Sequence, residues 1–231
     1  MDHWIGTVLD KLKQFQIYDK TLIIITADHG EEFQEHGSMT HGNLFQECIH
    51  VPLIIKLPSD SVDYKLIDAP VEAGVDLLPT IIDIIGIQKK FPFEGKSLTP
   101  YLNLRVDRKF REDGRFRFSE SLSNADENLY RVSVLRNGNK FIYTTHFPTV
   151  DFSNFRKNDD FEELYNLDSD KEELNNLAGV TSPELKVLKE ACFTFIDNAV
   201  NNKKRLHNYE KDEFQLTPEQ LQRLKALGYV K

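Results

Sequence analysis

The stretch Thr26–Gly42, TADHGEEFQEHGSMTHG, gathers Asp28, His29, His36 and His41 directly behind the apolar run TLIII. Carboxylate and imidazole are the usual side-chain ligands of divalent metals, so the pattern raises a metal site or an acid–base site. Asp28 and His29 are adjacent, and on a regular strand they would face opposite ways. On a turn leaving a strand end they can converge on one cation, and Gly30 permits the tight exit this needs. His36 and His41 are each followed by glycine. An imidazole in such a loop can bind metal, donate to an anionic ester oxygen or act as a general acid. Glu31 and Glu32 either deepen the local negative potential or open a short helix whose first turn favours carboxylates. Asp-His-Gly is equally consistent with a plain turn after a strand, and the residues alone leave both readings open.

Several elements must position these side chains. Trp4, Ile5, Val8, Leu9, Leu12 and Phe15 recur at helical spacing and predict an amphipathic helix over residues 2–16. TLIIITA is a short continuous run rich in β-branched residues, which predicts a strand buried on both faces of a parallel sheet. VPLIIKLP, residues 51–58, predicts a second. In parallel sheets ligand sites collect at the carboxyl ends of strands, which is where Asp28 and His29 fall. VDLLPTIIDIIG, residues 75–86, predicts a helix with Pro79 near its first turn, Gly86 at its end, and Asp76 and Asp83 as polar-face or cap residues. Helix, strand, loop, strand and helix in turn form the rhythm of an α/β layer.

The character changes near residue 115. RVSVLRNGNKFIYTT reads as two strands around an Asn137-Gly138 type I′ hairpin turn, and FEELYNLD as a further strand. Residues 183–205 read as a helix with Leu185, Leu188, Cys192, Phe195 and Ala199 on one side. A closing helix over LTPEQLQRLKALGYV would be capped by Thr217, with Pro218 at its first position and Gly228 at its end. The chain therefore divides into an α/β part, residues 1–115, and an α+β part, residues 116–231, made of a small antiparallel sheet with covering helices. His3, His146 and His207 read as solvated bystanders, and His50 as a residue at a strand entrance.

The 231 residues carry a formal charge of −8, which excludes the basic face of a nucleic-acid binder. An acidic balance still allows an anionic substrate, because a bound dication reverses the local sign. Cys48 and Cys192 have no metal spacing and read as buried free thiols. No apolar run approaches the ~20 residues of a membrane span. MDHWIGTVLDKLKQF carries an early aspartate and is amphipathic, unlike a secretory signal, so the chain as it stands reads as cytoplasmic.

TLIIITADHGEEFQEHG…THG…VPLIIKLP resembles the sulfatase family of the alkaline phosphatase superfamily. The likeness continues in order: GVDLLPTIIDIIGI resembles that family's VDLLPTLLDLAGI segment, FEGKSLTPYL its GRSLLPLL, ELYNLDSDKEELNNLAG its ELYDLEKDPGETNNLA, and LKALGYV a frequent ending. The resemblance implies a partial alkaline-phosphatase-like α/β/α sandwich followed by the small antiparallel sheet with covering helices. It implies hydrolysis of a sulfate ester, or of a phosphate ester by a phosphodiesterase or phosphoglycerol-transferase type of the same superfamily. It makes Asp28 and His29 metal ligands, and His41 the residue that contacts the sulfate or phosphate oxygens or assists the leaving group. His36 falls at a recurrent position that supports the loop. The implied cofactor is a divalent metal: Ca²⁺ suits the family's oxygen-rich sites, and the histidine at 41 also fits Mn²⁺ or Zn²⁺ relatives.

Two departures stand out. His50 replaces the arginine common before VPL. More consequentially, family members carry their nucleophile within C-x-P-S-R or C-x-A-S-R, and neither Cys48 nor Cys192 has that context. The chain resembles the C-terminal half of such an enzyme, with half a site, and is expected to be inactive alone. Its missing residues would come from a longer protein or from a separately encoded N-terminal half. The non-enzymatic alternative is a split-gene remnant or interaction module.

Overall fold

A computed structural model describes residues 1–58, 71–87, 93–102, 114–123, 129–146, 160–206 and 222. The closing helix expected around Thr217, Pro218 and Gly228, and the solvated role of His207, fall outside the described residues. The chain divides into two compact units, Met1–Cys192 and Phe193–Lys231.

Helix α1, Asp2–Gln14, has an acidic residue in its first turn and Lys11 and Lys13 in its last, a charge order that matches the helix dipole. Its apolar stripe is left open: no residue of α1 is buried, and Trp4, Val8 and Phe15 are exposed. Strand β1, Ile23–Thr26, follows, then a long loop, the short helix α2, Gln46–Ile49, and strand β2, Leu53–Lys56.

The direction of this strand pair corrects the sequence reading. β1 and β2 run antiparallel, with Ile23 opposite Lys56 and Thr26 opposite Leu53, and neither is buried on both faces; Ile54 is 57% exposed. β-branched composition specifies an extended chain and says nothing of its partner's direction. Direction comes from the connection: the chain leaving Thr26 returns through α2 to Leu53 at the same end, which makes an antiparallel pair without a crossover. Lys56 locks the pair to the preceding turn, donating to the carbonyls of Tyr18 (2.6 Å) and Thr21 (3.2 Å).

Helix α3, Ala73–Ile85, ends at Gly86, whose φ of 73° is the left-handed cap conformation that glycine allows. Pro79 lies in the helix interior rather than the first turn. A proline there removes the hydrogen bond to the carbonyl four residues back, that of Val75. Gly95 is packed against this freed carbonyl so closely that a Cβ would sit 1.9 Å from it. Asp76 likewise departs from a polar-face role. It is 2% exposed and accepts hydrogen bonds from the N–H groups of Glu72 (3.0 Å) and Lys96 (2.7 Å) and from Arg115 (2.9 and 3.0 Å). Thr80 adds a bond from its hydroxyl to the Asp76 carbonyl and accepts the N–H of Leu98, ahead of the short helix α4, Thr99–Leu102.

A four-stranded antiparallel sheet follows in the order β3-β4-β5-β6: Arg117–Ser123, Leu129–Arg136, Asn139–His146 and Phe161–Asn166. The β4–β5 turn has φ of 50° at Asn137 and 69° at Gly138, as the Asn-Gly signal requires. β3 has no counterpart in the sequence reading, although Phe116, Phe118, Glu120 and Leu122 alternate with Arg117, Ser119 and Ser121. The register puts Tyr130, Val132, Val134, Phe141, Tyr143 and Leu164 on one face, all buried. Helix α5, Pro183–Leu206, is tied to this sheet by Lys189 on Glu162 (2.5 Å). Its buried stripe is Leu188, Cys192 and Ile196, while Ala199 is exposed. The opposite sheet face carries Ile142 and Tyr165, which form a core with Leu44 from the loop between β1 and β2. Among the described residues, no helix is long and apolar enough to cross a membrane.

Candidate active site

The chain leaves β1 at Thr26, and Asp28 and His29 occupy the exit turn. Asp28 Oδ1 accepts the backbone N–H of His29 (3.1 Å), and Oδ2 lies 3.8 Å from His29 Nε2. His29 Nδ1 is 2.7 Å from the Gly30 carbonyl. A carbonyl only accepts, so Nδ1 carries a proton and Nε2 is the nitrogen turned toward a ligand, the orientation found in metal-ligating histidines. Gly30 is required for closeness rather than for turn geometry. Its N–H donates to the Cys48 carbonyl (2.7 Å), and a Cβ on it would lie 1.9 Å from the Glu47 carbonyl oxygen of α2.

Glu31 and Glu32 open no helix. The loop folds back on itself instead: the Glu32 N–H donates to Thr40, Gln34 to Ser38, and Gly37, with φ of 87°, closes the tip against Gln34. At its centre the Glu32 side chain is fully buried. Its Oε1 accepts the N–H groups of His36 (3.0 Å) and Ser38 (2.8 Å), and its Oε2 accepts Asn43 Nδ2 (2.6 Å). Sequence reasoning missed this role, since nothing in a Glu-Glu pair tells which carboxylate turns inward.

The Glu32–Thr40 pairing sets Glu31 and His41 opposite each other. His41 Nδ1 is 3.4 Å from both Glu31 carboxylate oxygens, and its ring stacks on that of His29 with centroids 4.0 Å apart and planes at 21°. Donor atoms of His29, Glu31 and His41 all lie within 4.8 Å of one another. Asp28 flanks this group, and its side chain is 90% exposed, against 42% for His29 and 55% for His41. The structure thus brings Asp28, His29 and His41 together on an open surface.

His36 is turned away from them. Its ring stacks on Phe45 (3.7 Å) and its Nε2 lies 3.2 Å from Glu47, a supporting position. His50 is exposed at the end of α2, its N–H on the Gln46 carbonyl. Both cysteines are free and buried, as the sequence reading has them. Burial pushes the Cys192 thiol up to about 12, and burial with the nearby carboxylates of Glu32, Glu47 and Glu31 raises that of Cys48.

The returning limb of the loop is held by the antiparallel sheet. The Gly42 carbonyl, next to His41, accepts Ser121 Oγ (3.0 Å) and Arg131 NH1 (3.1 Å). The Gln46 N–H donates to Glu173 (2.6 Å), which pairs with Lys140 at 2.7 Å. Lys140 and Glu173 are both buried. Burial lowers the Lys140 pKa, an effect that the Glu173 carboxylate opposes.

A model of the family described as Sulfatase matches residues 1–87. Arylsulfatase K of Bos taurus is 26% identical over 215 residues, covering 92% of this chain and 37% of that protein. A protein solved in complex with its substrate D-glucosamine-2-N,6-O-disulfate has a TM-score of 0.57 at 22% identity, over 93% of this chain and 40% of that one. A phosphonate monoester hydrolase from Silicibacter pomeroyi gives a TM-score of 0.58 at 24% identity, over 95% and 42%. The chain thus spans under two fifths of the length of the curated relative it matches. The matched segment and the relatives make the chain similar to the sulfatase family, and its fold is like that of sulfatase and phosphonate monoester hydrolase structures.

Proposed function

We propose that this chain is the C-terminal part of a metal-dependent sulfuric ester hydrolase, in which Asp28 and His29 hold a divalent cation and His41 meets the ester. The observation that carries the reading is the loop's return, which stacks His41 on His29 beside Asp28. The donors fit a cation: one carboxylate is exposed, and the hydrogen bond at His29 Nδ1 leaves Nε2 as a free donor. Carboxylate-led donation favours Ca²⁺, with Mn²⁺ or Zn²⁺ compatible through the imidazole. When bound, the cation would act as a Lewis acid toward the ester oxygens. His41, its Nδ1 turned to Glu31, presents Nε2 to a substrate oxygen, where a protonated ring binds the anion or protonates the leaving group.

Neither thiol of this chain suits nucleophilic attack, since burial holds both in the protonated form. The reading therefore assigns the nucleophile to a further segment or to a separately encoded half, and the chain alone is inactive. Residues 1–115 would be the catalytic part and residues 116–231 the subdomain that braces its loop. A phosphonate or phosphate ester hydrolase is the second reading, favoured by the fold likeness to the phosphonate monoester hydrolase.

The test compares 4-nitrophenyl sulfate and 4-nitrophenyl phenylphosphonate hydrolysis by the chain alone and joined to its natively encoded upstream partner. Sulfate hydrolysis should appear only in the joined protein with metal, and fall about 10²–10⁴-fold in His41→Ala. Unchanged metal content and rate in Asp28→Ala and His29→Ala would sink the assignment. Faster cleavage of the phosphonate ester would select the second reading.

A further inference from the structure

We propose that His29, Glu31 and His41 form a binding site for a zinc-type transition dication, and that filling it withdraws His29 and His41 from ester chemistry. The binding site rests on the geometry of the loop alone, and its effect on ester chemistry rests on the proposed function, which uses two of the same residues in another combination.

Two imidazoles and one carboxylate are a borderline donor set. Such a set suits Zn²⁺, Co²⁺, Ni²⁺ or Cu²⁺, whereas Ca²⁺ takes about 6–8 oxygens. The three donor atoms lie within 4.8 Å of one another. A tetrahedral ion with bonds of about 2.0–2.1 Å places its donors roughly 3.4 Å apart. The side chains therefore need to close by up to about 1.4 Å, and all three stand on partly or fully exposed positions where rotamers can adjust.

Two features prepare the site. His29 already gives its Nδ1 proton to the Gly30 carbonyl, which fixes the ring and frees Nε2. The Glu32–Thr40 backbone bond holds Glu31 and His41 face to face, 3.4 Å apart, so no large loop movement is needed. Asp28 is not among the three. An ion held by this trio and one held by Asp28 and His29 compete for the same His29 nitrogen, so a transition dication acts as an antagonist of an oxygen-bound one.

The full 231-residue chain, stripped with chelator, is titrated with Co²⁺ and followed by visible absorption. Expected are a saturable one-equivalent band and its displacement by Zn²⁺, with resistance to a hundredfold excess of Ca²⁺. Glu31→Gln and His41→Ala should each weaken binding by at least about tenfold, because loss of a ligand exceeds the 10–100-fold cost of losing a mere supporting group. Asp28→Ala, which removes a neighbouring charge but no ligand of the trio, should weaken binding by less than either of these.

Far-UV circular dichroism checks that each variant keeps the fold. Zn²⁺ titration of the unsubstituted protein by NMR avoids substitutions altogether, since the His29 and His41 ring protons should both shift at one equivalent. Binding that survives Glu31→Gln or His41→Ala, binding lost in Asp28→Ala, or a shift confined to His29 overturns the proposal. So does a folded chain without a saturable band. Any of these leaves the ester-hydrolysis reading standing, because that reading is carried by Asp28, His29 and His41 and is tested by the hydrolysis rate of the joined protein.

Discussion

Removing the Glu32 carboxylate tests whether one buried side chain sets the shape of the site loop. Glu32 is fully buried and receives three hydrogen bonds, two from the amides of His36 and Ser38 at 3.0 and 2.8 Å and one from Asn43 at 2.6 Å. Hydrogen bonds to a charged acceptor contribute about 1.5–3 kcal/mol each, and orphaned buried donors cost a comparable amount. The donors here are part-buried, so water entering the space left by Glu32→Ala recovers some of the loss. The expected cost is about 3–5 kcal/mol rather than the full sum of the three. Glu32→Gln keeps an oxygen for the two amides and needs only Asn43 to present its carbonyl oxygen instead of its amide, for a cost of about 1–2 kcal/mol. Urea unfolding of the chain by circular dichroism reads both. Amide hydrogen exchange at His36 and Ser38 should accelerate strongly in the alanine variant and little in the glutamine variant. Two variants of equal stability, or an alanine cost below about 1 kcal/mol, would refute the idea that the acceptor set organises the loop.

The other predictions follow the same logic. Gly30→Ala puts a Cβ 1.9 Å from the Glu47 carbonyl oxygen, which is backbone and cannot swing aside. It should destabilise by about 1–3 kcal/mol, plus about 1 for the strained bond to Cys48. Gly42→Ala meets only the Thr40 hydroxyl at 3.8 Å and is the matched control; equal thermal midpoints for the two would contradict this account. At Glu163, burial raises the carboxyl pKa above its ordinary 4.5, while the Tyr165 hydroxyl donates to Oε1 at 2.7 Å. A folded pKa above the unfolded one means stability fully present below about pH 4.5 and lost as pH rises through the folded value. Glu163→Gln, which keeps an acceptor for Tyr165, should therefore gain on the native chain from pH 4 to pH 7. A midpoint difference that shrinks over that range would reverse the assigned cause.

What the sequence made legible depended on how local the cause was. The Asn137-Gly138 turn, the capping Gly86 and the 3.6-residue stripe of α1 are each fixed by their own residues, and each is present. That Asp28 and His29 leave a strand end was readable from the apolar run before them. The return of His41 onto the His29 ring depends instead on the Glu32–Thr40 pairing, which no local pattern announces. The direction of β1 against β2 was not readable, since it is decided by how the intervening connection returns. Asp76 and Glu32 escaped for the same reason: each is held by partners outside its own turn, up to 39 residues away for Asp76 and up to 11 for Glu32. A carboxylate in a sequence looks solvated until its donors are known. Pro79 was placed one turn too early because the helix begins at Ala73, ahead of its apolar run.

The long-range partners also explain why the β3–β6 sheet matters to the site, although none of its strand residues is among the candidate ligands. His41 is fixed on one side by the Glu32 loop and on the other by Gly42, whose carbonyl is held between Ser121 of β3 and Arg131 of β4. Three residues further on, Phe45 is clasped by the His36 ring on one side and lies 6.1 Å from the Tyr165 ring of β6. The Gln46 amide then meets Glu173, and the Lys140–Glu173 pair behind it is desolvated. A buried ion pair adds little net stability, yet losing one partner strands the other charge at a cost of about 3–5 kcal/mol. Such a pair suits registration better than strength. Here it registers the start of α2 against β5, and through Gly30 and Cys48 it registers the turn that carries His29. The two histidines are thus positioned from opposite ends of one loop by a sheet that contributes no ligand of its own.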